Sequence, residues 1–141
     1  MDTPYLFISP PKSTGPELFN IDWLESLLEQ LPKYRPVDIQ ATLLEFTAQT
    51  ISKALSLYSY NINEVFICGG GAYNTVLINR LKELIAPVNV ESTSILGIAP
   101  EWVEASAFAW LAKQTVEGLP GNVPAATGAE KSSVLGAIYT K

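Results

Sequence analysis

Apolar residues along this chain fall into two patterns, stretches repeating at helical spacing and short continuous runs, and their alternation predicts helices separated by strands. Trp23, Leu24, Leu27, Leu28 and Leu31 form the apolar side of a short helix that Pro32 ends. Asp22 stands ahead of them as an N-cap, with Glu25 placed to close a capping box. Ile39, Leu43, Phe46, Thr50, Ile51, Ala54 and Tyr58 predict a longer helix from about Asp38, which caps it, to about Tyr58. A turn, Ser59 to Asn63, follows. Val76, Leu77, Leu81, Leu84 and Ile85 predict a helix from about Asn74 to Ile85, stopped by Pro87. Pro100 suits the first turn of a third long helix, Glu101 to about Val116, ended by Gly118 and Pro120. Trp102 and Trp110, on roughly one side of it, read as core residues.

The short runs read as strands. Tyr5–Ile8 leads into a loop, Pro10 to Pro16, whose prolines stiffen an extended path. Glu64–Cys68 is of the kind buried in a parallel sheet and stops abruptly at Gly69–Gly70–Gly71. Val88–Ser92 is another strand, and Val134–Tyr139 is a last apolar segment after a Gly-Asn-Val-Pro turn and an Ala-Thr-Gly loop. Strands alternating with helices point to an α/β fold, helix-rich with a short sheet. Four short strands are little sheet for such large apolar helix faces. A fragment of a larger domain explains that, and so does a helix-rich domain.

Composition narrows the function. The chain has 141 residues, 48% hydrophobic and 16% charged, which suits one globular domain with a real core. A formal charge of −5 without a basic stripe argues against a nucleic-acid partner. The sequence contains no His, so acid–base chemistry falls to Asp, Glu, Lys or Tyr. The lone Cys68 excludes an internal disulfide framework and a cysteine-rich zinc site, and no metal-ligand set is expected. No signal peptide is expected, because Pro10, Pro11 and Lys12 follow directly on Tyr5–Ile8. No stretch is apolar for long enough to cross a bilayer. A cytoplasmic protein without a membrane partner is the simple reading.

Three places carry candidate chemistry. At Gly69–Gly70–Gly71, between a strand and a helix, the backbone can come close to a ligand with no Cβ in the way. The helix that follows offers free N–H groups and the positive end of its dipole, and Asn74 can cap it or donate to a ligand. The order is neither Gly-x-Gly-x-x-Gly nor a P-loop, so a Rossmann or P-loop assignment fails. The same glycines also suit a tight turn with close helix–strand packing, and pattern leaves both open. Lys12, Ser13, Thr14 and Gly15 put a cation, two hydroxyls and a flexible backbone in one loop, suited to phosphate or sugar oxygens or simply to solvent. Glu101 and Glu104 lie one turn apart at a helix start, where carboxylates favour the dipole. Glu104, beside the small and aromatic run Ala105–Trp110 that should pack well, is the better acceptor for a sugar hydroxyl.

Together these segments resemble one family. Pro-Pro-Lys-Ser-Thr-Gly-x-Glu-Leu-Phe-Asn (Pro10–Asn20), Asp-Ile-Gln-Ala-Thr-Leu-Leu-Glu (Asp38–Glu45) and Cys-Gly-Gly-Gly-Ala-x-Asn (Cys68–Asn74) are similar, in order and spacing, to segments of the anhydro-N-acetylmuramic acid kinases. So are Trp-Val-Glu-Ala-x-Ala-Phe-Ala-Trp-Leu-Ala (Trp102–Ala112), Gly-Leu-Pro-Gly-Asn (Gly118–Asn122), Thr-Gly-Ala (Thr127–Ala129) and Val-Leu-Gly-Ala-Ile-Tyr (Val134–Tyr139). The resemblance implies part of an actin-like ATPase (ribonuclease H-like) fold, in which two domains close over ATP and sugar. It implies hydrolysis of the 1,6-anhydro bond of anhydro-N-acetylmuramic acid coupled to phosphorylation at O6, in cell-wall recycling, with ATP and Mg2+ as cofactors. By the same resemblance Gly69, Gly70, Gly71 and Asn74 lie against the nucleotide and Glu104 approaches the sugar. The Lys12–Gly15 loop borders the cleft, and the protein forms a homodimer.

The family's first phosphate loop and catalytic Asp have no counterpart in this sequence, and Asp2, Asp22 and Asp38 do not match that motif. Residues 1–141 therefore read as the C-terminal portion of such a kinase, partnered by an N-terminal half and inactive alone. A stand-alone non-catalytic module that binds nucleotide, sugar or a protein partner is the alternative. An apolar docking surface would favour the first, a self-contained polar surface the second.

Overall fold

Two units make up the chain, one of Met1–Tyr34 with Ala109–Lys141, the other of Arg35–Phe108. The computed structural model describes residues 4–31, 33–57 and 62–139. Helix ends predicted at Pro32 and Tyr58, the start of the Ser59–Asn63 turn, and Asp2 lie outside the described residues.

In the unit Arg35–Phe108, helix α2 runs Pro36–Ser56. It begins earlier than predicted, because Pro36 at its first position needs no N–H acceptor and already holds the helical φ. Asp38 is not its cap. Arg35 is, with extended backbone, and the Arg35 guanidinium donates to both Asp38 carboxylate oxygens at 2.7 Å. Strand β1 is Glu64–Ile67, helix α3 Thr75–Leu84 and strand β2 Asn89–Ser92. The strands pair in parallel, Glu64 with Asn89 through Ile67 with Ser92, so β1–α3–β2 is one β-α-β crossover. The buried hydrophobic residues among those described, Ala48, Leu81, Ile85 and Val90, all belong to this unit. That core is smaller than the composition allows.

Arg80 of α3 fastens that helix to α2. Its Nε and Nη2 donate to the Glu45 carboxylate at 2.7 and 2.8 Å, and its Nη1 donates to Glu83 at 2.8 Å. Arg80, helped by Gln49, holds the Glu45 carboxyl down from the usual 4.5 to about 2. A carboxyl whose folded pKa is depressed adds stability above its unfolded pKa and loses it as pH falls through the folded value. The stability of this chain should therefore fall between about pH 4.5 and pH 2, and Glu45→Gln should remove part of that fall. Acid titration followed by circular dichroism checks it. Identical acid profiles for the two chains would contradict the assignment.

In the other unit, Tyr5–Ile8 is not a strand. Pro4–Phe7 is a 3-10 turn, since Pro4 fixes a helical φ and the Ile8 N–H returns to the Tyr5 carbonyl at 3.3 Å. Helix α1 is Ile21–Leu28, and its cap is Asn20, not Asp22. The Asn20 side chain accepts from the Trp23 N–H at 2.9 Å, which leaves Asp22 in the first turn as a charge facing the helix dipole. Val134–Tyr139 is not a strand either. Gly136 has φ +92, which breaks an extended run, and the Thr115 hydroxyl donates to the Leu135 carbonyl. The described residues thus hold two strands, not four. Helix α5 is the short Pro124–Thr127.

Helix α4, Trp102–Glu117, passes from one unit into the other. It ends as predicted at Gly118, whose φ of +68 suits glycine. The Gly118 N–H bonds the Thr115 carbonyl and the Leu119 N–H the Gln114 carbonyl, a Schellman closure. Trp102 and Trp110 are not core residues, being 63% and 50% exposed, and Ala105–Trp110 is exposed throughout. Apolar side chains lie all round α4, so no single buried stripe can take them all.

Candidate functional site

Strand β1 delivers the chain to Gly69, whose φ of +72 and ψ of −172 lie where residues with a Cβ rarely go. Gly70–Tyr73 then forms one 3-10 turn, closed by Ala72 N–H to the Gly69 carbonyl and Asn74 N–H to the Gly71 carbonyl, both 3.1 Å. Asn74 caps α3 as expected, its Oδ1 accepting from the Leu77 N–H at 3.1 Å. Its Nδ2 stays free of hydrogen bonds among the described residues.

The three glycines differ in what requires them. Gly69 is needed by its backbone angles. Gly70 and Gly71 have no positive φ. Among the described residues a Cβ on Gly70 would meet nothing within 4 Å, and one on Gly71 would meet only Leu77 Cδ2 at 3.9 Å, an ordinary contact. Helix–strand packing among the described residues therefore does not explain Gly70 or Gly71.

Both ends of the turn are tied to the entry into α4. The Gly69 N–H bonds the carbonyl of buried Pro100 at 3.0 Å, and the Tyr73 hydroxyl donates to Glu101 Oε2 at 2.5 Å. That donation raises the Tyr73 pKa and, with the Glu101 N–H, lowers the Glu101 pKa. Beside the turn, an open groove of about 520 Å3 between α2 and α3 is lined by Val37, Leu43, Leu44, Val76 and Leu77 together with Gln40, Thr47 and Asn74. Its lining is mainly apolar, with Gln40, Thr47 and Asn74 as the polar side chains.

Glu104 is exposed in the first turn of α4, beyond the Pro100–Glu101 segment that holds the glycine turn. Lys12, Ser13, Thr14 and Gly15 belong to the other unit. There Lys12 is half-buried, its Nζ donating to the Tyr5 carbonyl at 3.2 Å and lying 4.7 Å from the Tyr5 ring centre. That ring meets Phe19, and Phe19 meets Trp23, each edge to face. Lys12 is thus committed within its own unit, while the Ser13 and Thr14 hydroxyls are exposed without a partner among the described residues.

Two residues escaped the sequence reading. Tyr73 gave no signal, because its partner lies 28 positions away. Asn122 holds the tail, donating through Nδ2 to the Lys131 carbonyl at 2.9 Å and accepting from the Ser133 N–H at 2.7 Å. Its place after a Pro-Gly turn marked a turn, not a clip.

A strand, a glycine turn open to one side and a capped helix thus lie beside a mainly apolar groove in one β-α-β unit. The family model for anhydro-N-acetylmuramic acid kinase matches residues 1–141, and the chain belongs to that family. An anhydro-N-acetylmuramic acid kinase of Coxiella burnetii (strain RSA 493 / Nine Mile phase I) is 52% identical over 136 residues, covering 96% of this chain and 36% of the relative. Relatives of the same name from Pseudomonas syringae pv. tomato and Pseudomonas fluorescens are 49% and 48% identical, each over 99% of this chain and 38% of their own length. The chain thus spans little more than a third of the length of these curated relatives.

Proposed function

We propose that this chain is the nucleotide-contacting, C-terminal portion of an ATP-dependent 1,6-anhydro-N-acetylmuramic acid kinase with an actin-like ATPase fold. The observation that carries the reading is Gly70. Neither backbone nor packing asks for glycine there, and the space its Cβ would occupy is open. A ligand lying against the turn would fill it.

The residues present fit a nucleotide. Gly69–Gly71 let phosphate or ribose oxygens approach the backbone, Asn74 Nδ2 can donate, and the start of α3 favours negative charge. ATP supplies the phosphoryl group that goes to the sugar O6. Among the described residues no group of three or more Cys, Asp or Glu side chains gathers at one place, so Mg2+ would be held here through the nucleotide phosphates. Glu104 would accept from a sugar hydroxyl, and Ser13, Thr14 and Gly15 would edge the cleft, with Lys12 as their anchor. The catalytic base would come from the N-terminal portion. The exposed Trp102, Phe108 and Trp110 on α4 support a docking surface for that portion over a self-contained module. No helix among the described residues is long and apolar enough to cross a membrane. The cytoplasmic placement of the kinase rests on the family reading alone.

The test is calorimetry with MgATP and a phosphoryl-transfer assay on the same purified chain. Nucleotide binding without turnover is the expected pair of results. Turnover by this chain alone would remove the need for a base from elsewhere, and absence of binding would count against the glycine turn as the nucleotide site.

A further inference from the structure

The glycine turn is fastened twice to one short segment. Its first residue, Gly69, donates its N–H to the Pro100 carbonyl at 3.0 Å, and its last, Tyr73, donates its hydroxyl to Glu101 at 2.5 Å. Between these anchors stand Gly70, Gly71 and Ala72, which contribute no side-chain hydrogen bond. Two adjacent residues, Pro100 and Glu101, thus set the span of the turn. Pro100 is buried, and Glu101 precedes the first residue of α4.

Glycines tolerate many backbone conformations, so a triple-glycine turn without fixed ends would sample several. A site that binds through backbone atoms loses affinity when those atoms must be ordered on binding. A second fixed end reduces that cost. The Tyr73 hydroxyl does nothing for packing, since the residue is 63% exposed, and its short bond to a carboxylate is charge-assisted. The carboxylate itself is steadied by its own backbone N–H.

We propose that Tyr73 is a positioning residue: its hydrogen bond to Glu101 pins the far end of the glycine turn to the entry of α4 and preorganises the turn for a nucleotide. This rests on the nucleotide reading above. The hydroxyl touches no reacting atom. It holds the backbone that does the binding, and it links the turn to the helix that carries Glu104.

The experiment compares the chain with Tyr73→Phe, Glu101→Ala and the double variant. Amide hydrogen exchange is read at Ala72 and Asn74, whose N–H groups close the turn, and MgATP affinity is read by calorimetry. Each single variant should speed exchange at both amides and weaken MgATP binding roughly three- to tenfold. The double variant should be no worse than either single, because both remove one bond. Unchanged exchange, or additive losses, would overturn the clasp. Faster exchange with unchanged MgATP affinity would make the bond merely structural and overturn the positioning role. A parent chain that does not bind MgATP overturns the nucleotide reading and the positioning role with it, while the exchange data still report whether the clasp exists.

Discussion

Gly70→Val should abolish most nucleotide binding while leaving the fold as stable as before. A valine side chain at Gly70 meets no atom of the described residues close to its Cβ, and the backbone there has no positive φ, so unfolding midpoints should be unchanged. The same side chain would stand in the space assigned to the ligand. Forcing two methyl groups into a filled contact costs about 1–3 kcal/mol, so the affinity for MgATP should fall by ~10- to 100-fold. Gly69→Val is the informative contrast. Its φ of +72 is strained for valine, and about 1–3 kcal/mol of stability should be lost along with any binding. Thermal unfolding and calorimetry on the two variants separate the effects. A Gly70→Val chain that binds as well as the parent would leave the open space without a ligand.

Leu81→Ala should be the most damaging single substitution among the described core positions. Leu81 is 1% exposed in the second turn of α3, and with Val90 it is one of the two largest fully buried side chains among the described residues. Truncating a buried leucine costs about 2–5 kcal/mol through lost transfer energy and the cavity left behind. Folded domains hold only about 5–15 kcal/mol in reserve, and a unit with so few buried side chains has little to redistribute. Urea unfolding should show a sharply lower midpoint, or a chain already unfolded without denaturant. Val116→Ala, at a position 75% exposed, serves as the control and should move the midpoint hardly at all. Equal effects of the two substitutions would mean that the core lies elsewhere.

What could be read from sequence followed from how local the cause was. The strand ending at Gly69, the Asn74 cap and the Gly118 stop each depend on a few neighbouring residues, and each is found in the fold. Asp22 and Asp38 were misplaced as caps because Asn20 and the Arg35–Pro36 pair, two or three positions earlier, compete for the same helix ends and win. Tyr5–Ile8 and Val134–Tyr139 are short apolar runs, and such runs become strands only when a partner edge exists. The Tyr73–Glu101 and Glu45–Arg80 bonds join residues 28 and 35 positions apart, which no local pattern reveals. The exposure of Trp102 and Trp110 was illegible for a related reason. Apolar residues at helical spacing signal burial, and the signal is the same whether their own unit or another surface covers them.

The most direct test of the nucleotide site is a titration of MgATP into the isotopically labelled chain, read as amide shifts residue by residue. Shifts centred on Gly69–Asn74, with a second set on Gln40, Leu44 and Thr47 of the groove beside it, are the predicted result. Binding whose shifts leave Gly69–Asn74 untouched and gather elsewhere, for example at Ser13 and Thr14, would contradict the assignment of the nucleotide to the glycine turn.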